Sequence, residues 1–351
     1  MDKYLIGLDN GGTLIKAIVF DTAGNVVASA SAKTPILTPE PGFTERDMDE
    51  LWLKNCDCVR RALASGEVDP ALVAGMAISG HGKGLYLWGK GGKPACNGIV
   101  STDNRAWRYP ERWKEDGTFR RNYPKLCQNI MASQQLSLLA WMKDHRPDVY
   151  EDIRWVFSVK DYLRFRFTGE AYCEATDISG SGLLNVRDKQ FDREMLADFG
   201  IGEMFNCLAP LRYSSDHCGG LTANAAQLTG LPEGLPVAGG MFDIDACAIA
   251  MSVLEPEDLI TIAGTWSINE YISQEPVLDQ EDILMNSLYA IPGYYLIEEC
   301  SATSAGNLEW YIDNILCKSE IPAGQSVYAY IEDNIQTTDT EKSDVYFLPF
   351  L

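Results

Sequence analysis

The sequence predicts an α/β fold of two domains, each with a mixed β-sheet flanked by helices. Three observations predict it. The chain has 351 residues and is 46% hydrophobic, enough for a real core and beyond the size at which one core usually divides. Its first 33 residues read as three short β-branched and aromatic runs joined by tight turns, before an amphipathic helix and a buried strand. Near residue 242 a cluster of proline and glycine interrupts the pattern, and a strand, small-residue turn and strand then come again.

Taken in order, KYLIGLD (3–9) and LIKAIVFD (14–21) flank Asn10-Gly11-Gly12-Thr13, a strong short-range hairpin signal. The turn Asp21-Thr22-Ala23-Gly24-Asn25 leads into VVASASAK (26–33), so three antiparallel strands come first. Asp47 with Glu50 forms a capping box for the helix DELWLKNCDCVRRALASG (49–66), whose Trp52, Cys56, Val59 and Leu63 share one face. On that pattern Cys56 belongs to the core and Cys58 is incidental. LVAGMAISG (72–80) follows as a buried strand. Further helices are expected at 136–145, stopped by Pro147, and at 158–167, stopped by Thr168-Gly169. The shift from LPEGLPVAGGMFD (231–243) to IDACAIAMSV places the domain boundary near 242, which gives domains 1–242 and 243–351. After it, DLITIAGTWSINEYIS (258–273) turns at Gly264-Thr265-Trp266, a weak internal duplication of the opening hairpin. Two such turns at the starts of two domains point to a nucleotide held between them.

Composition narrows the function. Lys+Arg 29 against Asp+Glu 50 gives a net charge of -21, which disfavours nucleic acid and anionic membranes as partners, so any phosphate site must be made locally. There is no basic leader followed by a long apolar run, and no run reaches the roughly 18 apolar residues of a membrane span; the cytoplasm is the expected compartment. The ten cysteines are scattered, and with His81, His145 and His217 they form no zinc-like spacing.

The stretch YLIGLDNGGTLIKAIVFD (4–21) fits neither the P-loop pattern nor the dinucleotide fingerprint. A tight hairpin nevertheless exposes successive N–H groups, and Gly11 and Gly12 let phosphate oxygens approach. Thr13 adds a hydroxyl, Lys16 a cation, and Asp9 a carboxylate for Mg²⁺, direct or through water. The plain alternative is an Asn-Gly hairpin with a solvent-facing lysine.

DNGGTLIK (9–16) resembles the first phosphate motif of the actin/Hsp70/hexokinase-type ATPase superfamily, in particular its FGGY carbohydrate kinases. PGFTERDMDELW (41–52), STDNRA (101–106), KDYLRFRFTGE (160–170), ATDISGSGLLN (175–185) and AGGMFDIDACAIA (238–250) resemble that family in the same order. The resemblance implies an actin-like ATPase (ribonuclease H-like) fold. In it, 1–242 would be the N-terminal domain with the sugar site and first phosphate loop, and 243–351 the start of the nucleotide-binding C-terminal domain, expected to be incomplete. SGHGKGLYL, KPACNGIVSTDNRA, GTWSINEYIS and SATSAGNLEW are most similar to the L-xylulose kinase subgroup.

The implied activity is phosphate transfer from ATP, with Mg²⁺, to a primary hydroxyl of a ketopentose such as L-xylulose. D-xylulose, L-ribulose or a keto sugar acid are alternatives, as is a non-catalytic sugar-binding relic. Retention of Asp9, Thr13, Lys16 and Asp243 together favours the enzyme. Family position makes Asp243 the acceptor of the sugar hydroxyl proton; Asp245 competes for the role, though residues two apart do not share a helix face. Asp103 and Arg105 offer an acceptor and a fork for vicinal hydroxyls, with a surface salt bridge as the alternative. His81, Gly82, Lys83 and Gly84 form a loop where a sugar would be read; Gly82-Lys83 replaces the Arg-Glu of glycerol kinases. Gly264 and Thr265, with Ser267, resemble the second phosphate loop, where Trp266 departs from the usual Gly-Thr-Ser. A homodimer is left open.

Overall fold

The computed structural model describes residues 3–12, 14–263, 267–278, 284–301 and 305–338. Its main sheet has seven strands: β1 (Tyr4–Asn10), β2 (Leu14–Asp21), β3 (Val26–Lys33), β4 (Val73–Gly80), β5 (His217–Gly220), β6 (Pro236–Ala238) and β7 (Met241–Phe242). The order is β5-β6-β4-β1-β2-β3, with β7 also against β4. β1, β2 and β3 are antiparallel in succession, whereas β4 runs parallel to β1, β6 and β7. The sheet is therefore mixed.

Side-chain alternation divides this sheet into two faces. Ile6, Leu8, Ile15, Ala17, Val19, Met76 and Ile78 are buried on one. Helix α1 (Met48–Ser65) shares that core through Leu51, Trp52, Cys56, Val59 and Leu63. Asp47 caps it, accepting from the Glu50 N–H at 2.7 Å. Cys58, expected to be incidental, is fully buried as well. On the opposite face lie Gly7, Asp9, Ile18 and Phe20, which line an open cleft. One pleated hairpin thus supplies both a core and a chemical surface.

Helix α2 (Val159–Thr168) ends on Gly169 in the left-handed conformation, φ 75°, which glycine adopts without penalty. Pro147 separates two helices: Gln135–His145 ends before it, and Pro147 itself opens Pro147–Asp152, where its missing N–H costs nothing.

After β7 comes helix α3 (Asp243–Ala250), then a four-stranded antiparallel sheet of β8 (Leu259–Ala263), β9 (Ser267–Ser273), β10 (Leu284–Leu288) and β11 (Tyr295–Ser301), ordered β8-β9-β11-β10. Ile260, Ile272 and Leu296 join Phe242, Ile244 and Ala248 in a second core, while Tyr295 and Ile297 belong to the main one. The period-2 alternation of β11 therefore links both cores. No helix among the described residues is long and apolar enough to cross a membrane.

Candidate active site

The opening hairpin is held from one side and open on the other. Asn10 and Asn55 exchange amide hydrogen bonds, both at 2.9 Å, and the Asn10 carbonyl accepts the His81 N–H at 3.0 Å. The Asn10 side chain is therefore an anchor in the core, fully buried and turned away from any phosphate, which corrects its expected place among the phosphate contacts. Gly11 N–H closes the turn on the Leu14 carbonyl at 3.1 Å. A Cβ on Gly12 would meet nothing within 4 Å, so the packing of the chain does not itself require glycine there. Thr13, Gly264, Thr265 and Trp266 lie outside the described residues.

Asp9 and Lys16 are paired across the hairpin, and Lys16 shares the open face with Ile18 and Phe20. Asp9 accepts from the Ser79 hydroxyl at 3.0 Å. Burial raises its pKa, opposed by Ser79 and by the positive charge of Lys16. No three Asp, Glu, His or Cys among the described residues form a metal cage. Asp9, with Asp243 on the same cleft, fits a hydrated Mg²⁺ carried mostly by phosphate oxygens and water rather than a cation caged by protein ligands.

Asp243 begins α3 and borders a cleft of about 680 Å³, opposite Asp9 and Ser79 and beside Cys247, Ile262 and Ile268. Burial pushes its pKa up to about 8, helped by the negative charges of Asp9 and Asp177. Without ligands it holds its proton at neutral pH. Asp245 turns the other way: it is fully buried, accepts the Ala290 N–H at 3.0 Å and does not reach the cleft. The helical twist gives the two carboxylates different surroundings.

Behind Phe242 lies a second, nearly closed cavity of about 10 Å³, room for about one water. Gly82, Lys83, Gln128, Asp177, Asn286, Ser287 and Glu298 line it. A Cβ on Gly82 would sit 2.4 Å from the Phe242 ring, so glycine is what lets that ring approach. Lys83 is in the left-handed region, φ 62°. His81, expected to read the sugar, is buried and lines neither cavity, its Nδ1 3.1 Å from the Gly82 carbonyl and its Nε2 3.2 Å from the Tyr86 hydroxyl. A carbonyl can only accept, so the proton belongs on Nδ1, and burial holds the pKa down at about 4. The ring is neutral and both its nitrogens are engaged.

Phe242 is itself positioned by a buried polar chain. Its N–H donates to the Thr176 hydroxyl at 2.9 Å, which donates to Glu174 at 2.8 Å, and Glu174 faces Lys160 at 3.0 Å. Lys160 also meets Asp161 at 2.9 Å. Burial pushes Asp177, at the edge of this network, up to about 7.

Asp103 and Arg105 are a correction. Arg105 donates to both oxygens of Asp103 at 2.9 and 2.8 Å and to Glu45 at 2.8 Å, and lies over the Phe43 ring at 4.1 Å. Asp103 also accepts the Thr44 N–H at 2.7 Å. Their side chains are 3% and 0% exposed and line neither cavity, because the fork is spent on carboxylates of its own chain. They brace the 43–46 segment.

With that geometry in view, residues 4–250 match the family model for the N-terminal domain of the FGGY family of carbohydrate kinases. The chain belongs to that family. An FGGY kinase is an enzyme that phosphorylates a sugar, and the family uses ATP as phosphate donor. This FGGY chain is 34% identical over 351 residues to a probable L-xylulose kinase of Pasteurella multocida (strain Pm70), covering 99% of this chain and 70% of the relative. It is 34% identical over 351 residues to the L-xylulose/3-keto-L-gulonate kinase of Escherichia coli (strain K12), covering 100% and 69%. The crystal structure of xylulose kinase from Rhodospirillum rubrum superposes with a TM-score of 0.90 at 23% identity, over 99% of this chain and 70% of that one. The fold is that of the actin-like ATPases.

Sequence reasoning did not single out Gln128, Asp177, Asn286, Ser287 or Glu298, which line the small cavity, nor Lys160 behind it. The available signal was charge inside an apolar pattern: Lys160, Asp161 and Arg164 share one helix with Val159, Tyr162, Leu163 and Phe167 and are all buried.

Proposed function

We propose that this FGGY kinase transfers the terminal phosphate of ATP to a primary hydroxyl of a ketopentose such as L-xylulose. The observation that carries the reading is the position of Asp243, at the edge of the large cleft shared with Asp9 and next to Phe242, which closes the small polar cavity. A sugar in the small cavity would present its terminal hydroxyl to Asp243 as proton acceptor. Triphosphate in the large cleft would meet the turn after β1 and Lys16, and Gly264 and Thr265 are the proposed second phosphate contact. Mg²⁺ near Asp9 would supply charge neutralisation on the phosphates. With room for only about one water, the small cavity must open to admit a sugar. Opening along the line between residues 1–242 and 243–351 would do so.

A keto sugar acid is the second reading. Lys83 brings a cation to a cavity that also has Asp177 and Glu298, and a substrate carboxylate would pair with it. The cytoplasm is the proposed compartment. A panel of ketopentoses and keto sugar acids, assayed for sugar-dependent ADP release, tests both readings. ADP release with none of them would count against a sugar kinase of this class.

A further inference from the structure

Arg46 is 1% exposed and makes no ion pair among the described residues. Its Nη2 donates to the Gly12 carbonyl, while Nε and Nη1 have no partner. A buried charge left without compensation costs several kcal/mol, on the order of the penalty for breaking a buried pair. The carboxylates nearest in sequence are committed elsewhere. Glu45 bonds Arg105 at 2.8 Å and Asn97 at 3.0 Å, Asp47 caps α1, and Glu50 meets Lys54 at 2.9 Å. A cavity of about 10 Å³ lined by Thr34, Arg46, Asp47, Glu50 and Lys54 has room for a single water, and neither Asp47 nor Glu50 pairs with Arg46 across it. Such a water would satisfy a hydrogen bond of Nε or Nη1 without giving Arg46 an ion pair.

The hydrogen bond from Arg46 holds the Gly12 carbonyl on the buried side of the hairpin. We infer that Arg46 is the positioning residue and counter-charge of the phosphate hairpin: it fixes the Gly12 peptide from behind and balances the polyphosphate seated in front. The inference rests on the reading of this hairpin as the phosphate site, and Arg46 acts through Gly12 without touching the reacting atoms.

Calorimetry on the full chain with ATP, tripolyphosphate and L-xylulose tests it, with the melting temperature in tripolyphosphate as a second readout. Arg46→Gln is expected to weaken ATP and tripolyphosphate binding about tenfold or more, the value of one charge-assisted hydrogen bond, and to remove most of the tripolyphosphate-induced rise in Tm, with ketose affinity kept. Unchanged polyphosphate affinity, or equal loss for polyphosphate and ketose, overturns the inference. Gly12→Val separates the two claims. If it weakens polyphosphate binding and Arg46→Gln does not, the Arg46 inference alone fails; if Gly12→Val binds polyphosphate normally, or the native chain binds none, the hairpin reading fails with it. Should Arg46→Gln not fold, Arg46→Met decides: it removes both the charge and the donor while keeping the apolar stem, so weaker polyphosphate binding with intact ketose affinity supports the inference and unchanged binding overturns it.

Discussion

Replacing Asp243 by asparagine keeps the shape of the side chain and removes its capacity to take a proton. The structure sets the size of the effect. With a pKa of about 8 in the ligand-free protein, the carboxylate is ionised in roughly one molecule in eleven at pH 7 and roughly ten in eleven at pH 9. kcat/KM of the native enzyme should therefore climb about tenfold between those values, since this parameter follows the free enzyme's essential base. Asp243→Asn should lower turnover by about 10²–10⁴-fold, the usual contribution of a general base, and flatten the profile in this range. Asp245→Asn, away from the cleft, should keep the native midpoint. Initial rates of ADP release from pH 6 to 9.5, with the best ketose of the panel, provide the profile, and calorimetry checks that the Asp243 variant still binds sugar. An Asp243→Asn enzyme that kept near-native turnover, or a rise centred near pH 8, would refute the assignment.

Stability should fall with rising pH: burial lifts Glu270 to about 8, so the folded chain keeps a proton that the unfolded chain has lost. The stabilisation is complete below the ordinary carboxylate range and lost as pH rises through about 8, so the Tm should drop between pH 5 and 9, less steeply in Glu270→Gln; a Tm that rises with pH contradicts this. Arg105→Ala should destabilise by about 3–5 kcal/mol by leaving Asp103 buried and unpaired. Urea unfolding measures it, and a loss under 1 kcal/mol with weakened sugar binding would return Arg105 to the sugar site. Gly82→Ala should cost about 1–3 kcal/mol by overpacking against Phe242 and raise the ketose KM above that for ATP; an unchanged ketose KM would separate Phe242 from the sugar site.

Much of the scaffold was legible because its signals are local. Asn-Gly-Gly between two alternating runs specifies a hairpin, Asp47 and Glu50 a helix start, and Gly169 a helix end, each within a few residues of chain. The α1 face of Trp52, Cys56, Val59 and Leu63 followed from the helical period. Partner choice over long separations was not legible. Asn10 meets Asn55 across 45 residues, an amide pair that no periodicity encodes. Cys58 was misjudged because a small side chain near the edge of an apolar stripe is buried only once the neighbouring sheet is in place. Arg105 and Asp103 were recognised as a fork and an acceptor, but only the folded chain turns them on each other and on Glu45, away from either cavity. Side-chain chemistry and turn propensity are properties of short segments, so the sequence by itself determined the hairpin and the capped helix, whereas Asp243 stood out as the candidate proton acceptor over Asp245 only through the family resemblance. The small cavity draws Lys83, Gln128, Asp177, Asn286 and Glu298 from separate elements, and the desolvation that lifts Asp243 to about 8 exists only when α3 is packed against both sheets; these the tertiary structure decided.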